Sequence, residues 1–212
     1  MRTILMSSRR RPGRGNPRGN VLVEAALVIS LVFIPLALGI AVIGLNIIRV
    51  IQVNQINRDT GHMFARGVDF SGSTNGLVNQ GIIFQMAPAL KTTTSSGTAV
   101  LILSSVEYLN SAATCPSPCN NLGHVVIMQQ ITLGNSALRA SSFGTVASTS
   151  MDSSGKVLNP TTDTTVRADS VLTYLTMSDG DIAFVSETFF SSADLARSGF
   201  ISPVDTYARA FF

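Results

Sequence analysis

The sequence predicts an α+β protein: a long N-terminal helix, apolar in its first half and striped in its second, packed on a small antiparallel sheet. Three observations predict it. The run Val21 to Ile48 is 28 residues long and interrupted only by Glu24, Ser30, Pro35, Asn46 and two glycines, which is enough to cross a bilayer as a helix. Beyond it, Val53, Ile56, Thr60 and Met63 recur at spacings of three and four among Arg49, Gln52, Asn54, Asn57, Arg58 and Asp59, the period of an amphipathic helix. After Lys91 the pattern changes to β-rich runs separated by turn residues.

Taken in order, residues 1–19 form a basic leader. Arg2, Arg9, Arg10, Arg11, Arg14 and Arg18 lie here without a single acid. These are six of the 15 Lys and Arg, so residues 20–212 carry nine against 12 Asp and Glu. The pI of about 9.2 therefore belongs to the leader, and the mildly acidic remainder has no Lys/Arg cluster that would suit nucleic acid. Charged residues make up only 13% of the chain, below the quarter usual in soluble domains. A cation cluster followed by an apolar span fits a cytoplasmic N-terminus with the rest exported. An ordinary secretory signal peptide has a shorter apolar core of about 7 to 15 residues; it and an uncleaved signal anchor remain alternatives, and Arg9-Arg10 is a weak twin-arginine signal.

Residues 20–48 are the expected membrane helix, with Pro35 inside it removing a backbone hydrogen bond and bending the axis. Residues 49–67 continue it as the striped half and end near Gly67, a residue suited to a left-handed cap. Residues 68–212 form the expected head domain. A second helix is predicted from Leu77 to Leu90, with Val78, Ile82, Met86 and Leu90 on one side. Strands are predicted at Ala99–Leu109 and His124–Leu133, paired across a turn-rich loop, and at Asp181–Phe190 and Thr206–Phe212 as a second pair. Tyr207, Arg209 and Phe211 share one face of the last strand, and Ala208, Ala210 and Phe212 the other. One sheet face must be buried, and the striped helix is the available cover; the other face is expected to be exposed. Gly134 to Gly180 reads mainly as loop, with an element of undecided type at Arg167–Met177.

Glu24 is the most informative single residue, since a carboxylate in a membrane-length helix costs up to about 3.5 kcal/mol and calls for a partner. It follows Gly19 by five positions. A basic leader ending in Gly19, then Asn20-Val21-Leu22-Val23-Glu24 and a long apolar helix, resembles the class III signal of type IV pilin-like proteins. The segment GNVLVEAALV from Gly19 to Val28, with MSDGDIAFVSETFF and TYARAFF near the C-terminus, is similar to the TadE-like minor pilins (pseudopilins) of tight-adherence pilus systems. The likeness is close at the N-terminus, loose at the C-terminus and poor in the middle. Asn20 at the first mature position, the long Ser/Thr loop and the two cysteines depart from the pattern.

That resemblance implies a pilin-like fold, cleavage by a prepilin peptidase between Gly19 and Asn20, and an assembly role for Glu24. It also implies an inner-membrane location, partnership with other pilin subunits through the N-terminal helix, and a head domain in the periplasm. An alternative from another class is a single-span periplasmic binding or sensor protein.

Other chemistry is sparse. Cys115 and Cys119 in CPSPC suit a disulfide closing a small loop in an exported domain, worth about 2 kcal/mol; the spacing and a lone nearby His124 suit a redox pair or zinc less well. His62 follows Asp59 by three residues, a solvated helical pair. No G-x-S-x-G elbow, S-x-x-K set or P-loop is present, and Asp179-Gly180-Asp181 is followed by no EF-hand pattern. No catalytic residue, metal site or cofactor is expected, and no nucleic-acid partner.

Overall fold

The computed structural model describes residues 17–92, 95–191 and 205–212; most of the leader expected at 1–19 lies outside them. The chain divides into two compact units, Met1–Gly44 and Leu45–Phe212.

The described residues of the first unit, 17–44, are helical. Helix α1 (Pro17–Val28) passes through a π turn at Ile29–Phe33 into α2 (Ile34–Ala65). The π turn explains how the helix accommodates Pro35. A proline ring in a regular α-helix collides with the carbonyl four residues back, here Leu31, and has no N–H to offer it. Widening the preceding turn opens the spacing at that carbonyl, so the helix continues through the proline. Apolar side chains along it, Leu22, Leu31, Leu38 and Ile43 among them, are exposed. Among the described residues this is the one helix long and apolar enough to cross a membrane.

The second unit is built on one antiparallel sheet of β1 (Ala99–Leu109), β2 (His124–Gly134), β3 (Ile182–Phe190) and β4 (Thr206–Phe211), in the order β2-β1-β3-β4. The two predicted pairs are thus joined through β1 and β3, with Ala99 opposite Phe190 and Glu107 opposite Ile182. A bulge in β2 opposite Ser105 and Val106 leaves Met128 unpaired with β1.

One face of the sheet is covered by helix. Val53, Ile56 and Phe64 of α2 pack with Ile83, Ala87 and Leu90 against Leu101, Leu103, Ile131, Leu133 and Phe190. The stripe is as predicted at Val53, Ile56 and Thr60, all buried, while Met63 is partly buried. Gly67, at φ +81°, caps α2, and the Val68 N–H closes on Met63 O at 3.0 Å, a Schellman ending.

The second helix, α3 (Thr74–Met86), begins three residues earlier than predicted because Ser73 caps it by accepting the Gly76 N–H at 3.0 Å. Its inward side differs from the predicted grouping. Ile83, Ala87 and Leu90 are buried, whereas Val78, Ile82 and Met86 are exposed. Gly76 explains the rotation: a Cβ there would stand 2.1 Å from Ser71 O, so only that face can approach the preceding turn.

The other sheet face is not exposed, contrary to the sequence expectation. Phe143, Val146, Val157, Val166, Ala168 and Val171, all from the Ser/Thr-rich stretch between β2 and β3, form a second core with Val125, Ile127, Ala183 and Val185. The stretch has almost no regular structure beyond short 3-10 turns at Ser148–Ser150, Thr164–Val166 and Asp169–Thr173. It adheres because aspartates organise its turns. Asp152 accepts from Ser154 and Lys156 N–H groups at 2.8 and 3.0 Å, and Asp163 accepts the Thr165 N–H at 2.9 Å. Hydrogen bonds of this kind hold a carboxyl below its ordinary range, led at Asp152 by the Ser154 hydroxyl and at Asp163 by the Thr165 hydroxyl.

Candidate functional site

Gly19, Asn20 and Glu24 lie in α1. Asn20 and Glu24 are four residues apart, about one helical turn. Glu24 is exposed, and among the described residues no hydrogen-bond or ion-pair partner meets it. The three predicted positions therefore lie on one helix, with Glu24 about one turn beyond the Gly19–Asn20 peptide bond.

The striped half of α2 meets the sheet through a polar seam that the sequence pattern missed. Asn57 is 2% exposed; its Oδ1 accepts the Ser186 hydroxyl at 2.9 Å and the Thr188 hydroxyl at 3.0 Å. A neutral amide buried with both hydroxyl donors satisfied fixes the register of helix on strand more narrowly than methyl groups do. One turn later Gly61 permits the closest approach: a Cβ there would lie 2.9 Å from Ser186 Cβ and 2.2 Å from the Phe212 ring. Phe212 also lies 4.4 Å from the His62 ring, so His62 contacts the C-terminal aromatic as well as solvent. The one signal that could have found this seam is Asn57 itself, a poor helix former standing next to Ile56 in the stripe.

On the second sheet face Glu187 is 3% exposed. Its carboxylate accepts from Tyr207 Oη at 2.5 Å, from the Ser142 N–H at 3.0 Å and from the Ser141 hydroxyl. Three donors replace the water that a buried carboxylate has lost. Burial first, and then the bond to Glu187, push the Tyr207 hydroxyl above its usual value of 10.0. Around it, Arg139 stacks 4.1 Å from the Tyr207 ring and Arg209 stacks 4.0 Å from the Tyr174 ring. The alternation predicted for the last strand is realised: Tyr207, Arg209 and Phe211 serve this face, while Ala208 and Phe212 serve the helical one.

Cys115 and Cys119 stand in disulfide geometry, with Cα atoms 5.6 Å apart. His124 Nδ1 is 2.8 Å from Asp169 Oδ2, and Asp169 Oδ1 also accepts the Val125 N–H at 2.9 Å. The pair ties the start of β2 to the 3-10 turn; among the described residues no hydroxyl or thiol bonds the other imidazole nitrogen. No group of three His, Cys, Asp or Glu among the described residues could hold a metal. Asp179, expected at a turn, accepts the Asn110 N–H and the Thr114 hydroxyl, both at 2.6 Å. A cavity of about 530 Å³ lies between α3, the Gln130–Gly134 edge of β2 and the Asp152–Gly155 turn.

Comparison with protein-family models, with curated proteins and with solved structures finds no match.

Proposed function

We propose that this chain is a membrane-anchored minor pilin that takes part in initiating or capping a tight-adherence pilus after a prepilin peptidase removes residues 1–19. The observation that carries the reading is the placement of Glu24 one helical turn beyond Asn20, inside the otherwise uncharged run Val21 to Ile48 of a helix long enough to span a bilayer. Cleavage after Gly19 creates an α-amino group on Asn20, cationic in good part at neutral pH with an intrinsic pKa near ~7.7 to 8.0. The Glu24 carboxylate can then pair with that amine, in the same chain or on a neighbouring helix, and pairing relieves two charges that lipid penalises separately. The reading sets the N-terminus in the cytoplasm and the sheet-bearing unit in the periplasm, acting through other pilin subunits and not by catalysis.

N-terminal sequencing of the membrane-extracted protein tests it. A start at Asn20 is expected; a start at Met1 overturns it. Gly19→Leu is expected to remain full length, whereas Glu24→Ala is expected to be processed, to stay in the membrane and to lose crosslinks to partner pilins. Normal crosslinking by Glu24→Ala would remove the assembly role. The cavity beside α3 favours the second reading, a single-span binding or sensor protein; for that reading the Gly19 peptide bond stays intact.

A further inference from the structure

Among the described residues, the charges of the sheet-bearing unit are sorted along its strands. Ala99, Gly134, Phe190 and Thr206 end the four strands on one side, as the register of Ala99 with Phe190, Val100 with Gly134 and Phe190 with Thr206 requires. Two guanidinium groups sit over the aromatics of this end. Arg49 lies 5.3 Å from the Phe190 ring, and Arg139 lies 4.1 Å from Tyr207 and 5.6 Å from Phe189. Lys91 joins them, since the Thr98 hydroxyl, adjacent to Ala99, bonds the carbonyl of Leu90 at 3.1 Å. Asp205, just before Thr206, is the acid of this end among the described residues.

The opposite end has the reverse sign. Glu107, Asp163, Asp169, Asp179 and Asp181 gather about the β1–β2 turn and the start of β3, with Arg167 as their counter-charge. Asp179 meets Asn110, Asp181 O accepts the Tyr108 N–H at 3.1 Å, Asp169 meets His124, and Arg167 donates to Asn121 at 2.8 Å. Crowding there has a consequence: burial, and then the Asp179 charge, hold Glu107 above the ordinary carboxyl range.

Arg49 decides which way this polarity matters. It follows Ile48 directly, so the basic end is the end at which the apolar run leaves the unit. We propose that this rim of Arg49, Lys91 and Arg139, with Phe189 and Tyr207, seats on the anionic headgroups of the bilayer that the Val21–Ile48 run spans, leaving the acidic end remote from the lipid. Cations beside a span are drawn to anionic lipid and lose that attraction within a Debye length. Aromatic rings with a polar handle prefer the same depth. The proposal rests on the run spanning a bilayer and not on the pilin reading.

The test uses the full chain in vesicles of phosphatidylcholine with and without phosphatidylglycerol. A thiol-reactive fluorophore is placed at Ala140→Cys, exposed beside Arg139, or at Thr164→Cys, exposed at the acidic end, and a headgroup-borne quencher is added. Quenching at 140 is expected to rise with phosphatidylglycerol, to fall as salt shortens the Debye length from about 10 Å to about 3 Å, and to be absent at 164. Arg139→Gln should weaken contact on the order of five-fold, and Arg49→Gln with it by the same factor again; Arg139→Lys should keep it. Quenching equal in neutral vesicles, or unmoved by both Gln substitutions, would overturn the rim while leaving the span intact. Concentration-dependent energy transfer between 140 and 164 labels would overturn it in favour of copies stacked acidic end to basic end. A chain that fails to float with vesicles would overturn span and rim together.

Discussion

The two faces of the sheet are buried by opposite means. Over one, two helices lay regular side-chain rows on Leu101, Leu103 and Phe190, and the polar groups among them include the Asn57–Ser186–Thr188 seam and the buried Thr60. Over the other, a stretch with almost no regular structure supplies isolated apolar anchors and is held by side-chain hydrogen bonds, with Gln130 binding Gly144 O at 2.9 Å and Val146 N at 3.0 Å, and Glu187 holding Ser141, Ser142 and Tyr207. A helix satisfies its own backbone, so its cover can be apolar. An irregular cover must find partners for every buried N–H and C=O, and the side chains of the sheet provide them. The helical face should therefore fail when its packing is disturbed, and the loop face when a single polar atom is removed.

The largest effect is expected from Ile56→Asp, which puts an unpaired charge where 2% of the residue is exposed. A loss of about 4 kcal/mol or more is expected, seen as loss of the cooperative thermal transition. Unchanged unfolding would show that the stripe is on the wrong side. Next is Tyr207→Phe, which keeps the ring over Arg139 but takes one of three donors from Glu187; about 1.5 to 3 kcal/mol is expected, as for hydrogen bonds to charged groups. Limited proteolysis should then open residues 135–180 first. Cleavage within α2 instead would break the contrast between the faces.

Gly61→Ala tests the helical face by overpacking. The Phe212 ring can turn away, but Ser186 Cβ at 2.9 Å sits on a paired strand, so roughly 1 to 2 kcal/mol of destabilisation is expected. A neutral or stabilised variant would show that α2 has room to shift. The smallest effect is on pH. Because the folded state holds Tyr207 above 10.0, its contribution is complete below the unfolded value and is lost as the pH rises through the folded one. Spectrophotometric titration should show a tyrosinate step above about 10 that Tyr207→Phe removes, with the loop face loosening over the same window. A titration identical in the variant would remove the Glu187–Tyr207 clamp from this account.

Legibility in the sequence differed along the same line. Strand bounds at Ala99–Leu109 and the alternation of Tyr207 with Ala208 were readable because β patterning is local. Val53, Ile56 and Thr60 were readable for the same reason. Asn57 was not, because its partners Ser186 and Thr188 are more than a hundred residues away and nothing nearby marks an amide as buried. The second face was misjudged as open because Phe143, Val146 and Val171 are single apolar residues in a polar stretch, with no period to reveal that they converge.

By itself the sequence determined the order of parts: a cation-rich segment at residues 1–19, an apolar run with one acid at Glu24, a striped continuation and four strands. Each follows from composition or from a period of 3.6 or 2, which the backbone imposes locally. Tertiary structure alone decided that β1 and β3 join the two hairpins, that α3 turns Ile83 inward and Val78 outward, that Asn57 and Glu187 are buried, and that cations and acids collect at opposite ends of the sheet. Those outcomes depend on which distant groups can satisfy a buried polar atom or fill a given volume, and such partners are set by the packing of the whole unit and not by any stretch of its chain.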